Sequence, residues 1–290
     1  MSAPAPEPDR LRDGIDAVGL ELSMLASRVG TLRRRMEQLS VLREEEVHAA
    51  ARMARLERVL EVDRVAGHLR RAVNGGALVA EPVPHLVAPN LLPPDVYQVL
   101  LEAVPPPVFF EGPATERQEL RVPPRLAPSP SIVTWMFVND VVLPTLIDVL
   151  VARCAEPLAR YTRERFPTLP PLQASGVELG PLDTRIVRRT AGCTGGTAAD
   201  RRWDLATGML FLSRPEDTDE YGSCLQGVSI PFHANSALAY VAPAEAHAYA
   251  TIPSDAPGAI ERYTYEFGIG PTKQARQTLT TRLKQRPAAS

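Results

Sequence analysis

Between Ile15 and Leu39 the apolar residues alternate at intervals of three and four: Ile15, Val18, Leu22, Leu25, Val29, Leu32, Met36 and Leu39. Eight successive positions on a 3.5-residue period form an a/d seam and predict a left-handed coiled coil. Such a seam expects a second copy of the chain or a partner helix. The register then fails, because Arg43 and Glu46 occupy the next seam positions. It resumes in a shifted phase at Ala49, Met53, Leu56 and Leu60. A stutter and a helix–turn–helix near 42–47 both account for the shift, and a long helix lying on the following domain is the plainer alternative. No proline falls between Leu11 and Val73, and Asn74-Gly75-Gly76 predicts the end of this helical region, 11–74. The Pro/Ala-rich residues 1–10 read as a disordered tip.

Beyond it the pattern changes twice. Residues 94–104 read as a short amphipathic helix with Val96, Val99, Leu100 and Ala103 on one face. Residues 134–165 read as helical, interrupted at Pro144 and Pro157. After Gly180 the period drops to two. Residues 184–189 (TRIVRR), 205–212 (LATGMLFL), 236–242 (SALAYVA) and 262–269 (RYTYEFGI) read as strands separated by turn-rich segments. A helical front and a β back predict an α+β fold, with helices packed on one side of a β-sandwich or jelly roll. Thr272 to Arg286 is polar and basic, a surface helix or a frayed tail.

Composition narrows the function classes. A net charge of −2 gives no general attraction for nucleic acid or an anionic membrane. No run of about 18 apolar residues occurs, which argues against a transmembrane span. The N-terminus MSAPAPEPDR lacks the basic head and apolar run of a secretory signal, so a cytoplasmic location is expected. Cys154, Cys193 and Cys224 are odd in number and widely spaced, which argues against a disulfide framework or a cysteine zinc site. The 29 prolines crowd into 82–130 and 167–181, where few helices or central strands are expected. Neither a phosphate-binding glycine loop nor a G-x-S-x-G nucleophile elbow is present.

In order, the back half holds a strand, the Gly-rich loop AGCTGGTAAD ending at Asp200, and LATGMLFL. The acidic loop RPEDTDEYGS, PFHANSALAYV, His247 and ERYTYEFGIG follow. Together with the lead-in HLVAPNLLPPDVYQVLLEA, this resembles the iron(II)/2-oxoglutarate-dependent dioxygenases, in particular the bacterial prolyl 4-hydroxylase-like branch, over 82–270. The resemblance implies a double-stranded β-helix and a site for iron(II) and 2-oxoglutarate. It implies two imidazoles and one carboxylate on one face of the metal. Asp200 takes the carboxylate's place and His247 that of the second histidine. Arg262, which opens the last strand, takes the place of the cation that pairs with the distal carboxylate of 2-oxoglutarate.

The position of the first histidine is held by Ala198, which cannot bind metal. His233 and Cys193 are replacement-ligand candidates. Arg262, Thr264 and Glu266 share one face of their strand, so Glu266 brings negative charge toward the cofactor site unless a cation offsets it; Arg262 itself could instead neutralise Glu261 or Glu266. Two functions follow. One is a catalytically impaired binding or scaffold protein that keeps the pocket. The other is a working hydroxylase of C–H bonds with a non-standard iron ligand.

Overall fold

The computed structural model describes residues 7–112, 117–165, 177–196, 203–214, 217–241, 248–257 and 260–285. Helix α1, Glu7–Val59, is continuous, so the chain makes no turn at 42–47, and the helix takes in the last four residues of the expected disordered tip. The phase shift has another cause. Beyond Leu39 the apolar stripe moves to the side facing the domain, where Ala49 and Leu56 are buried and Val41, Leu42, Val59 and Leu60 pack against the main core. The helix breaks at Glu61, whose backbone is extended and whose carboxylate accepts from the Arg64 amide at 3.0 Å, capping α2, Val62–Gly75. That helix buries Val65, Leu69 and Val73 in the main core, and Ala66 beside them. The helix ends at Gly75, where Asn74-Gly75-Gly76 predicts it, and α2 and the second half of α1 share a core with the β region. Gly76, just past α2, has no room for a side chain, since a Cβ there would sit 2.9 Å from the Val87 carbonyl oxygen.

Helix α3, Pro94–Glu102, follows, with Val96, Val99 and Leu100 buried as its apolar face predicts. Helices α4, Ser129–Phe137, and α5, Leu143–Arg153, run on through a π turn, Val138–Val142. Pro144 falls just after that turn. It cannot donate a backbone hydrogen bond, and the wider π turn accommodates it without breaking the helix. By length and composition Ser129–Arg153 is the only helix among the described residues that could cross a membrane. Here Trp135, Leu143, Leu146 and Ile147 are buried and it serves as a core helix. Pro157 lies in the first turn of α6, Ala155–Arg165, where a missing amide costs nothing. The basic C-terminal stretch forms α7, Lys273–Gln285, tacked down by buried Leu279.

The strands are β1 Ala77–Val79, β2 His85–Ala88, β3 Gln118–Arg121, β4 Leu179–Thr190, β5 Thr194–Gly196 and β6 Ala206–Phe211. They continue with β7 Ser223–Leu225, β8 Val228–Ile230, β9 Ala237–Val241, β10 Ala248–Thr251 and β11 Glu261–Pro271. They form two antiparallel sheets, β1-β2-β9-β6-β11-β4-β3 and β5-β10-β7-β8. From β4 onward the chain passes repeatedly from one sheet to the other, which is the jelly-roll winding the sequence predicts. Of the two strands in the proline-rich segment, β3 takes one end of the large sheet and β2 lies one strand in from the other, under β1; neither strand itself contains a proline.

One face of the large sheet packs on the helices through Ile186, Leu210, Tyr263, Tyr265, Phe267 and Ile269. The other packs on the small sheet: Met209, Phe211, Leu238 and Tyr240 meet Leu225, Ile230 and Phe232. The helical lead-in is bolted to the sheet at named points. Tyr97 donates to the Ser213 carbonyl oxygen at 2.6 Å, and the Asn235 side chain exchanges two hydrogen bonds with the backbone of Leu92.

Candidate functional site

Strand β11 alternates along its length, and its even-numbered residues Arg262, Thr264 and Glu266 face away from the helices. Its register with β4 places Arg189 opposite Arg262, Val187 opposite Thr264 and Arg185 opposite Glu266. Directly opposed residues share a face, so charged groups from both strands gather on the side of the small sheet.

Glu266, only 2% exposed, is the centre of this cluster. Its Oε1 accepts from Arg189 Nη2 at 2.6 Å and from the Thr264 hydroxyl at 3.0 Å. Its Oε2 accepts from Arg117 Nη2 at 2.7 Å, with Arg185 Nε 3.8 Å away. Glu119 on β3 ties in from outside, 3.2 Å from both Arg117 and Arg185. Burial would push the Glu266 carboxyl up; the positive charges of Arg189 and Arg117 outweigh it and hold the group below its ordinary value. Burial also lowers the affinity of Arg117 for its proton, an effect opposed by Glu266. Three arginines face two carboxylates, leaving the cluster one positive charge in excess. The negative charge that Glu266 brings to this face is therefore offset, by cations the strand pattern alone does not single out.

Arg262 is 3% exposed and held from the other side. Its Nη2 donates to the Thr218 carbonyl oxygen at 3.0 Å and to the Thr218 hydroxyl at 3.1 Å, and its Nη1 lies 3.3 Å from Asp217 Oδ1. Its guanidinium carbon stands 4.9 Å from the centre of the Phe232 ring, a cation–π contact. It neutralises neither Glu261 nor Glu266. Glu261 is claimed by Arg188 and by the Tyr263 hydroxyl at 2.7 Å. The bond from Arg188 leads in drawing the Glu261 carboxyl down, while burial and the Glu261 charge push the Tyr263 phenol up to about 12. The acidic loop after β6 thus delivers its own carboxylate, Asp217, to the arginine that the resemblance assigns to 2-oxoglutarate.

Asp200, His247 and Ala198 lie outside the described residues. By chain order, β5 ends two residues before Ala198 and β10 begins one residue after His247, and these two strands are neighbours, with Tyr249 opposite Gly196. The replacement-ligand candidate His233 is at the surface. Its side chain is 55% exposed, and its Nδ1 lies 2.8 Å from Asp219 Oδ1 at the surface. Cys193 is buried where β4 turns into β5, its carbonyl oxygen accepting from the Ile252 amide at 3.2 Å. Among the described residues no group of three histidine, cysteine, aspartate or glutamate side chains could hold a metal ion.

The sequence reading found Arg262 and Glu266 but missed Arg117, Arg185 and Arg189. The signal lay in the alternation Arg185-Val187-Arg189, which sets two arginines on one face of a strand otherwise apolar at its centre.

No protein-family model matches the chain, and no curated protein matches it. Among solved structures it is similar to a prolyl hydroxylase from Trichoplax adhaerens in complex with a hypoxia inducible factor peptide fragment. The identity is 9% over 73% of this chain and 92% of the other, with a TM-score of 0.43. A Pseudomonas putida prolyl-4-hydroxylase matches at 13% identity over 71% and 98%, with a TM-score of 0.39. HygX from Streptomyces hygroscopicus, with nickel, 2-oxoglutarate and hygromycin B bound, matches at 12% over 65% and 83%, with a TM-score of 0.36. Similarity at this level decides no chemistry, which rests on the side chains themselves.

Proposed function

We propose that this chain is a 2-oxoglutarate dioxygenase-like protein that has kept the jelly-roll scaffold, lost normal iron chemistry, and works as a binding or scaffold protein. The observation that carries this reading is the state of Arg262. Its guanidinium is buried against Asp217, Thr218 and Phe232, so a dicarboxylate reaching for it would have to displace the chain's own carboxylate. Ala198 supports the same conclusion from the sequence, since a methyl group offers a metal no lone pair and two protein ligands hold iron far less well than three. Asp217 thus stands against 2-oxoglutarate at Arg262, and Ala198 against iron.

The test is an anaerobic titration of iron(II) and 2-oxoglutarate into the purified chain and into Ala198→His, followed by calorimetry and by the metal-to-2-oxoglutarate absorption band. The parent is expected to bind no stoichiometric iron, with binding gained in the variant. Stoichiometric iron in the parent together with turnover of 2-oxoglutarate would overturn the reading and establish a working hydroxylase.

A further inference from the structure

The first half of α1 has an apolar face that no described residue covers. From Ile15 to Leu39 the seam residues are 48–71% exposed, values that belong to helix surface rather than core. The same helix meets the domain on another side. Gln38, Val41, Leu42, Glu45 and Ala49 are the positions where its exposure falls, and the Gln38 amide donates to the Val108 carbonyl oxygen at 3.1 Å. At 3.6 residues per turn, that stripe lies roughly a third of a turn from the seam at Met36 and Leu39. A helix laid along the seam therefore does not collide with the domain.

We infer that the seam binds a second copy of the same helix, antiparallel, with the twofold axis at Ser27. Writing Ile15 as position a, an antiparallel pair centred there sets every a residue against a d residue. Ile15 meets Leu39 of the second copy, Val18 meets Met36, Leu22 meets Leu32 and Leu25 meets Val29. The set closes on itself and all eight layers are apolar. Charge selects this orientation. In the parallel arrangement the flanking g and e positions bring Arg28 against Arg33 of the second copy, twice, and leave Glu21 beside Ala26. In the antiparallel arrangement g faces g, so Glu21 meets Arg35 twice, and the only like-charge meeting is Arg28 with its own copy at the axis. Glu21, Arg28 and Arg35 are all exposed. On the e flank Gly19 meets Arg33 of the second copy twice and Ala26 meets its own copy, so no like charges oppose one another there. Two beta domains then sit at opposite ends of one two-helix rod, and this arrangement does not depend on whether either domain binds iron.

The experiment is sedimentation equilibrium on the full chain and three variants, with thermal melting as a control on the fold. The parent is expected at twice the chain mass. Leu25→Glu is expected at the single-chain mass with the melting temperature of the β domain unchanged, because Leu25 touches nothing in that domain. Arg35→Glu turns two attractions into two repulsions and should raise the dissociation constant roughly tenfold. Glu21→Arg with Arg35→Glu restores the opposite charges and should return it to the parent value. A monomeric parent, or a dimer that survives Leu25→Glu, overturns the self-pairing. A dimer indifferent to Arg35→Glu overturns the antiparallel orientation.

Discussion

The two faces of the seven-stranded sheet are made by alternate residues of the same strands, yet they hold together by different means. On the helix side β11 presents Tyr263, Tyr265 and Phe267. Trp135 lies 5.5 Å from Tyr265 between ring centres and donates its indole N–H to the Ala103 carbonyl oxygen at 2.8 Å. That face is stabilised by volume and fit. On the opposite side, beside the apolar contacts to the small sheet, the same strand presents Arg262, Thr264 and Glu266, where what matters is that each charge has a partner. A packed face tolerates no missing volume. A charged face tolerates no missing partner, but can lose a balanced set.

Removing one member from each face should produce the largest effects and look alike. Trp135→Ala is expected to cost about 3–5 kcal/mol in urea unfolding, through lost contacts and the cavity left behind. Glu266→Gln is expected to cost about 3–5 kcal/mol as well, because it takes the carboxylate from buried Arg189 and one of the two from Arg117. The faces part company on rescue. Replacing Glu266, Arg189 and Arg117 together by methionine leaves Arg185 and Glu119 paired with each other, and should recover most of the loss. A triple variant no more stable than Glu266→Gln would mean that shape, and not charge, governs both faces.

The fit on the helix side is tested next by Gly208→Ala. A Cβ there would lie 2.2 Å from the Phe267 ring, inside any allowed contact. Overpacking of this kind costs about 1–3 kcal/mol, and Phe267→Leu in the same chain should relieve it. No counterpart exists on the charged face, so equal relief from Glu266→Gln would break the distinction.

Acid should act through the carboxylates that arginines hold down: Glu266 on the charged face, Glu261 at the start of β11 and Asp95 on α3. The Glu266 and Glu261 carboxyls are both held below their ordinary value of 4.5, so they stay ionised in the folded chain where the unfolded chain has begun to take up protons. Their contribution to stability is full above that value and is lost as the pH falls through the lower, folded-state values. Urea midpoints measured from pH 6 downward should therefore drop below about pH 4.5 in the parent and drop less steeply in Glu266→Gln. Trp135→Ala should show the parent's pH dependence on a lower baseline. Parallel curves for parent and Glu266→Gln would remove Glu266 from the acid response.

How much of this was legible in the sequence follows from the range of each signal. The alternation of β11, β6 and β9 is local, and it showed because one strand face is apolar or polar regardless of its neighbours. The seam at 15–39 showed for the same reason. Its phase shift at Arg43 was visible but ambiguous, since a turn of the apolar stripe and a break in the helix leave the same trace; the helix is continuous and its later stripe packs on the domain. The strands β5, β7, β8 and β10 are three or four residues long and carry too few alternations to register. The Glu266 cluster escaped because its members lie 149, 81 and 77 residues from Glu266 in the sequence and meet only through the β3–β4–β11 register. The partner of Arg262 escaped because Asp217 is one acidic residue among several in a loop, and nothing local marks it as the one that turns inward.

The smallest effect on stability bears most directly on function. Asp217→Asn weakens the contact at Arg262, but the guanidinium keeps the Thr218 oxygens and the Phe232 ring, so a loss of about 1 kcal/mol is expected. The consequence for binding should be larger. With Asp217 neutral, Arg262 offers its charge to an incoming carboxylate without first giving up an internal one. If the internal pair is what keeps a dicarboxylate out, 2-oxoglutarate without metal should bind Asp217→Asn roughly tenfold more tightly than the parent, equivalent to about 1.4 kcal/mol. Arg262→Gln in the same background should abolish the gain, which separates a direct contact from a general loosening of the acidic loop. Equal affinity in parent and Asp217→Asn would show that Asp217 does not guard Arg262, and the charged face would then be a structural counterpart of the aromatic one rather than a binding surface held closed.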